Sequence, residues 1–125
     1  MKRVEINTAV RLPGSKTELE RAAEKVLAFL NVKKQKIVEI NLVGDGYIKK
    51  LNRTYRGKNR VTDVLSFAFE EKKGKNKEEY QGQIFISLPQ IRRQAKEYGV
   101  SGREELYRML AHGILHLFGY DHILK

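Results

Sequence analysis

Residues 109–119, "MLAHGILHLFG", are apolar on nearly every side when wound as a helix. Such a helix has no water-facing stripe, so the rest of the chain must be built around it. The sequence marks both of its ends. Ser101 and Glu104 have the spacing of a capping box, and Gly119 suits the left-handed conformation that follows a helix. A long last helix running through the core is therefore expected over "REELYRMLAHGILHLF".

The preceding chain supplies elements to surround it. "KRVEINTAV" alternates with period two and predicts a first strand. "TELERAAEKVLAFLNV" predicts a helix, with Thr17 and Glu20 as its capping box and Ala22, Ala23, Val26, Leu27 and Leu30 on one face. "KIVEINLVG" is a second strand with Val38, Ile40 and Leu42 on one side. A second helix, "GDGYIKKLNRTYRG", has Asp45 as its cap and Ile48, Leu51 and Tyr55 turned toward the core. "DVLSFAFE" and "GQIFISLP" read as two more strands, joined by the polar "EEKKGKNKEEYQ", a mobile loop. "PQIRRQAKEYG" is a short helix with proline in its first turn and glycine after its last. The pattern predicts one α/β (α+β) domain spanning residues 1–125, with a mixed sheet of about four strands packed on helices. Strand order cannot be read from these patterns.

All the histidines of the chain, His112, His116 and His122, lie in this C-terminal stretch. His112 and His116 are four apart on the helix, so their rings share a face one turn apart. Gly119 lets the chain turn back and bring His122 toward them. Three imidazoles in an apolar segment carry six ring nitrogens that need partners, and one shared cation satisfies three of them. With no cysteine, any transition metal must be held by histidine or carboxylate. Zn2+ fits this donor set, with Ni2+ or another late divalent ion as the alternative. Three protein ligands leave a fourth position open, as catalytic sites require. Asp121 could orient a ligand ring or cap the turn.

The spacing H-x3-H-x2-G-x2-H is shared with metzincin proteases. Those enzymes place a glutamate base after the first histidine, where this chain has Gly113. The zincin-like three-histidine arrangement therefore comes without the base for peptide hydrolysis. Lys plus Arg number 25 against 15 acidic residues, a net charge of +10, which favours RNA or DNA as partner. No run of eighteen apolar residues or signal-like core occurs, so a cytoplasmic protein without a membrane is expected.

"HGILHLFGYDH" resembles the signature of the YbeY family of metal-dependent endoribonucleases, which act in ribosomal RNA maturation and ribosome quality control. "LNRTYRGKNRVTDVLSF" and "GQIFISLPQIRRQAKEYG" look like two further blocks of that family, in the same order. The resemblance covers most of the chain from Asn41 onward. It implies a single-strand endoribonuclease whose metal ligands are His112, His116 and His122. It also implies that Arg56 and His112 serve catalysis, with ribosomal RNA or ribosomal particles as partners. In that scheme the ion activates water or polarises a phosphate oxygen, while the Arg56 guanidinium stabilises charge on the phosphodiester. Lys49, Lys50, Arg53, Lys58 and Arg60 would track the RNA backbone. Two departures stand out: Gln83 replaces a usual acidic residue, and the family's further helical stretch after the last histidine is not seen before Lys125. The rival expectation is a non-catalytic ribosome-associated RNA-binding factor with a structural metal.

Overall fold

The last helix lies where its apolar circumference requires. In the computed structural model, which describes residues 3–32, 36–68 and 80–120, it is α4 (Gly102–Leu117), the last of the eight elements among the described residues. Before it come β1 (Val4–Thr8), α1 (Lys16–Phe29), β2 (Ile37–Val43), α2 (Asp45–Arg56), β3 (Val64–Ala68), β4 (Tyr80–Ser87) and α3 (Leu88–Tyr98). The four strands form one sheet in the order β1-β2-β4-β3. β1, β2 and β4 are parallel, and β3 runs antiparallel to β4 at the edge. The architecture is α+β with a mixed sheet, as the element pattern predicts.

Strand alternation divides the sheet into two faces with different coverings. Val38, Ile40, Leu42, Ile84 and Ile86 point to one face, where they meet Leu19 and Leu27 of α1, Ile91 of α3, and Leu106, Leu110 and Ile114 of α4. Leu65 and Phe85 point to the other face and pack under Ile48 of α2. α4 approaches the sheet closely because glycine stands at two crossing points. A Cβ on Gly113 would lie 2.9 Å from Ile84 Cγ2 and 3.1 Å from Val64 Cγ2. A Cβ on Gly82 would lie 2.3 Å from the Phe67 carbonyl oxygen and 2.7 Å from Leu117 Cδ1.

Two helix starts differ from the sequence expectation. α1 is capped by Ser15 with Glu18, not by Thr17 with Glu20. Both pairs have the right spacing, but Ser15 takes extended backbone angles directly after Pro13 and Gly14, so the helix begins there and Thr17 falls inside its first turn. At α2 the cap is Gly44, without a side-chain bond; Asp45 lies in the first turn. Its carboxylate accepts instead from Ser87 Oγ at 2.8 Å and Arg93 Nη2 at 3.0 Å. α4 opens at Ser101 with Glu104 in a capping box, and Gly119 takes φ of 86° just past the helix, both as expected. Of "EEKKGKNKEEYQ", residues 80 and 81 belong to β4, and residues 70–79 lie outside the described residues. Among the described residues no helix is long and apolar enough to cross a membrane.

Candidate metal centre and the adjoining sheet edge

His112 and His116 come together on α4. Their ring centroids are 4.6 Å apart and the ring planes are inclined by 31°. His112 is half-buried and His116 is exposed, so the pair sits at the margin of the core and opens outward. Among the described residues no hydrogen bond engages either ring, which leaves donor nitrogens of both imidazoles unused. Burial holds the His112 imidazole below its ordinary pKa, and the neighbouring His116 and Arg108 act in the same sense against Asp63. A neutral imidazole is the form that binds a metal ion. The donor chemistry of this pair thus fits a late divalent ion. His122 and Asp121 lie outside the described residues, and among the described residues no third His, Asp or Glu joins the pair.

Arg56 is the last residue of α2 and reaches across to the edge strand β3. Its Nη2 donates to the Ser66 carbonyl oxygen at 2.9 Å, and its guanidinium lies 4.8 Å from the centroid of the Phe67 ring. The hydrogen bond and the ring contact anchor the guanidinium while the residue remains exposed, so part of its donor fork faces water. Arg56 and the two histidines approach β3 from opposite faces of the sheet. Ser66 joins them, because its Oγ donates to the Gly113 carbonyl at 3.0 Å, one residue beyond His112. Sequence reading missed Ser66. The available signal was a polar residue between Val64 and Ala68, on the face of β3 that packs against the apolar helix.

Asp63 was also missed. It precedes β3, its carboxylate accepts from the Val64 N–H at 2.8 Å, and its charge acts on His112. Gly113, read from the sequence as the position of an absent base, faces Ile84 and Val64 on the sheet, so no glutamate could occupy it without displacing α4. Gln83 lies on the α2 face, where its Nε2 donates to Glu39 Oε2 at 3.1 Å, away from the histidines. Tyr55 corrects another expectation. It is 63% exposed, in an edge-to-face contact with Phe67 at a centroid distance of 5.5 Å, because the core-facing stripe of α2 is completed by Asn52 instead. Lys49, Lys50, Arg53, Lys58 and Arg60 are all exposed on α2 and the loop after it.

Comparison with known proteins adds an independent line. Residues 4–125 match the family model described as Endoribonuclease YbeY. The Endoribonuclease YbeY of Persephonella marina is 47% identical over 108 residues, covering 86% of this chain and 70% of that relative. That of Moorella thermoacetica is 46% identical over 112 residues, covering 83% of this chain and 71% of the relative. The solution structure of TM1509 from Thermotoga maritima is 31% identical and superposes with a TM-score of 0.58, covering 95% of this chain and 74% of that one.

Proposed function

The chain belongs to the YbeY endoribonuclease family, and from that premise we propose that it cleaves single-stranded RNA with a divalent ion held by His112, His116 and His122. The observation that carries the reading is the pair of open imidazoles, 4.6 Å apart on one face of α4, tied through Ser66 to an anchored, exposed Arg56. His112 and His116 would hold the ion from the helix, and His122 would supply the third nitrogen from beyond Gly119. A divalent ion there supplies Lewis-acid polarisation of a phosphate oxygen and a lowered pKa for water; zinc is the first candidate and nickel the second.

The chain's own residues do the rest. The scissile phosphate would lie along the outer edge of β3, with the imidazoles on one side and Arg56 on the other. Arg56, permanently charged and held over the Phe67 ring, offers N–H donors to non-bridging oxygens as negative charge accumulates on them. The exposed cations of α2 attract the phosphates on either side. Ribosomal RNA is the proposed substrate and its maturation the proposed role, which also sets the cytoplasm as the place of work. Support comes from the family blocks around Arg56 and the histidines, together with the net charge of +10.

Chelation tests this reading. Stripping metal with EDTA should abolish cleavage of single-stranded RNA while the melting temperature barely moves, and added Zn2+ or Ni2+ should restore activity. Cleavage that survives exhaustive chelation, or a protein that unfolds on metal removal without having cleaved RNA, contradicts it.

A further inference from the structure

On the α2 face of the sheet, a cleft of about 300 Å3 opens where β1 and β2 end and α2 begins. Its lining includes Asn7, Asn41, Tyr47 and Phe85. Tyr47 stacks against Phe85 with centroids 6.0 Å apart and planes inclined by only 23°, yet remains 54% exposed. One ring face is thus supported by the sheet while the tyrosine stays open to solvent. Beside it Asn7 Nδ2 donates to Asn41 Oδ1 at 3.1 Å and Asn41 Nδ2 donates to the Ile84 carbonyl at 3.5 Å, so the Asn7 amide oxygen and its second N–H are the groups outside these bonds. An aromatic face next to an amide edge is the pairing that binds a flat heterocycle with hydrogen-bonding edges. The volume lies at the lower end of ligand pockets, roughly 300–1,000 Å3, and suits one base rather than a larger ligand.

Charge selects the occupant. From Tyr47 the helix continues through Lys49, Lys50, Arg53 and Arg56, all exposed. The single acid of α2, Asp45, is already bonded to Ser87 and Arg93. A strand with phosphates on this cationic face meets no competing carboxylate of α2. The larger cleft between α3 and α4, about 780 Å3, differs in this respect: Glu104 and Glu105 line it, and its Arg108 is paired with Glu105. Tyr47 and Arg56 are nine residues apart, about 14 Å along the helix and half a turn out of phase, so they flank α2 on opposite sides with exposed Lys50 and Arg53 between them, a span that a few nucleotides bridge by crossing the helix.

We propose that Tyr47 and Asn7, the latter held by Asn41, form a nucleobase subsite of the single-stranded RNA substrate, with Tyr47 stacking on the base and the Asn7 amide meeting its edge, a few nucleotides from the bond near Arg56. The inference rests on the endoribonuclease reading for its ligand, and on the cleft and the α2 charge for its place.

The test is binding of short single-stranded RNA to the intact protein in EDTA, where cleavage plays no part. Tyr47→Ala should weaken binding roughly ten-fold, and Tyr47→Phe should not. Tyr98→Ala, on the larger cleft, should also leave binding unchanged. Replacing one nucleotide at a time by an abasic one should reveal a position that costs the wild type affinity and costs Tyr47→Ala nothing further. Tyr47→Leu, which keeps apolar contact with Phe85, should bind as weakly as Tyr47→Ala while melting like the wild type. An unchanged affinity in Tyr47→Ala and Tyr47→Leu, or an equal loss on duplex RNA, overturns the subsite even if the wild type cleaves RNA. A wild type that neither binds nor cleaves RNA overturns the underlying reading as well.

Discussion

Ser66 spends both its oxygens on the site: the carbonyl accepts from Arg56 and the hydroxyl donates to the carbonyl of Gly113. Removing the hydroxyl leaves Arg56 its anchor but frees β3 from α4 beside His112. Ser66→Ala should therefore lower kcat roughly ten-fold or more with KM and metal content unchanged; a change in KM alone would mean that Ser66 only helps bind RNA. Arg56→Lys keeps the charge and loses the planar fork, so cleavage should fall by about 10²-fold or more at full metal occupancy. Unimpaired cleavage in that variant removes Arg56 from the chemistry. Gly113→Ala sets two effects against each other. Alanine favours the helix by about 1 kcal/mol, but its Cβ would press on Ile84, a fully buried β-branched side chain with little room to yield. Overpacking of this kind costs about 1–3 kcal/mol, and the net expectation is a lower melting temperature. A higher one would show that α4 can lift from the sheet without loss.

At the scale of elements, a chain of polar side chains sets the helices against one another. Glu105 of α4, 1% exposed, accepts from Arg108 at 2.8 and 3.0 Å and from Gln94 of α3 at 2.7 Å. Gln94 accepts from Gln90, Gln90 accepts from Arg93, and Arg93 donates to Asp45 at the start of α2. The helix carrying the histidines and the helix carrying Arg56 are thus linked through α3. Burial alone would raise the Glu105 carboxyl, but the bonds from Arg108 and Gln94, with the Arg108 charge, outweigh it and hold the group below the usual carboxylate range. A carboxylate with a lowered folded pKa stabilises the fold at pH above its unfolded pKa, and that stability is lost as pH falls through the folded value. Glu105→Gln should accordingly melt below the wild type at neutral pH, with the gap closing as pH falls below the usual carboxylate range. A gap independent of pH would exclude a role for the ionised carboxylate. Element types were legible from periodicity, but two caps were not. Thr17 and Asp45 are good capping residues by type, whereas Ser15 wins α1 through the Pro13–Gly14 turn and Asp45 is drawn to Ser87 and Arg93, partners that only the tertiary fold supplies.

For the molecule as a whole, the pairing of His112 with His116 and the apolar last helix were legible because their information is local in sequence. Strand order was not, since it depends on which apolar faces meet across long separations; nor was the placement of Arg56 and the histidines on opposite faces of β3, which follows from α2 and α4 covering opposite sides of the sheet. The cationic excess and the basic cluster around α2 were equally visible, while the exposure of its side chains emerged only with the fold. Substituting Lys49, Lys50 and Arg53 together by Gln should weaken RNA binding across sequences and reduce the slope of log affinity against log salt by about 2. An unaltered slope would mean that the strand runs elsewhere. The account turns on the imidazoles sharing one ion that serves cleavage, and elemental analysis of the purified protein paired with cleavage assays on His116→Ala measures this most directly. The expected result is one divalent ion per wild-type chain, with the ion and the cleavage lost together in a variant that remains folded. Full RNA cleavage by a metal-free His116→Ala protein would contradict it.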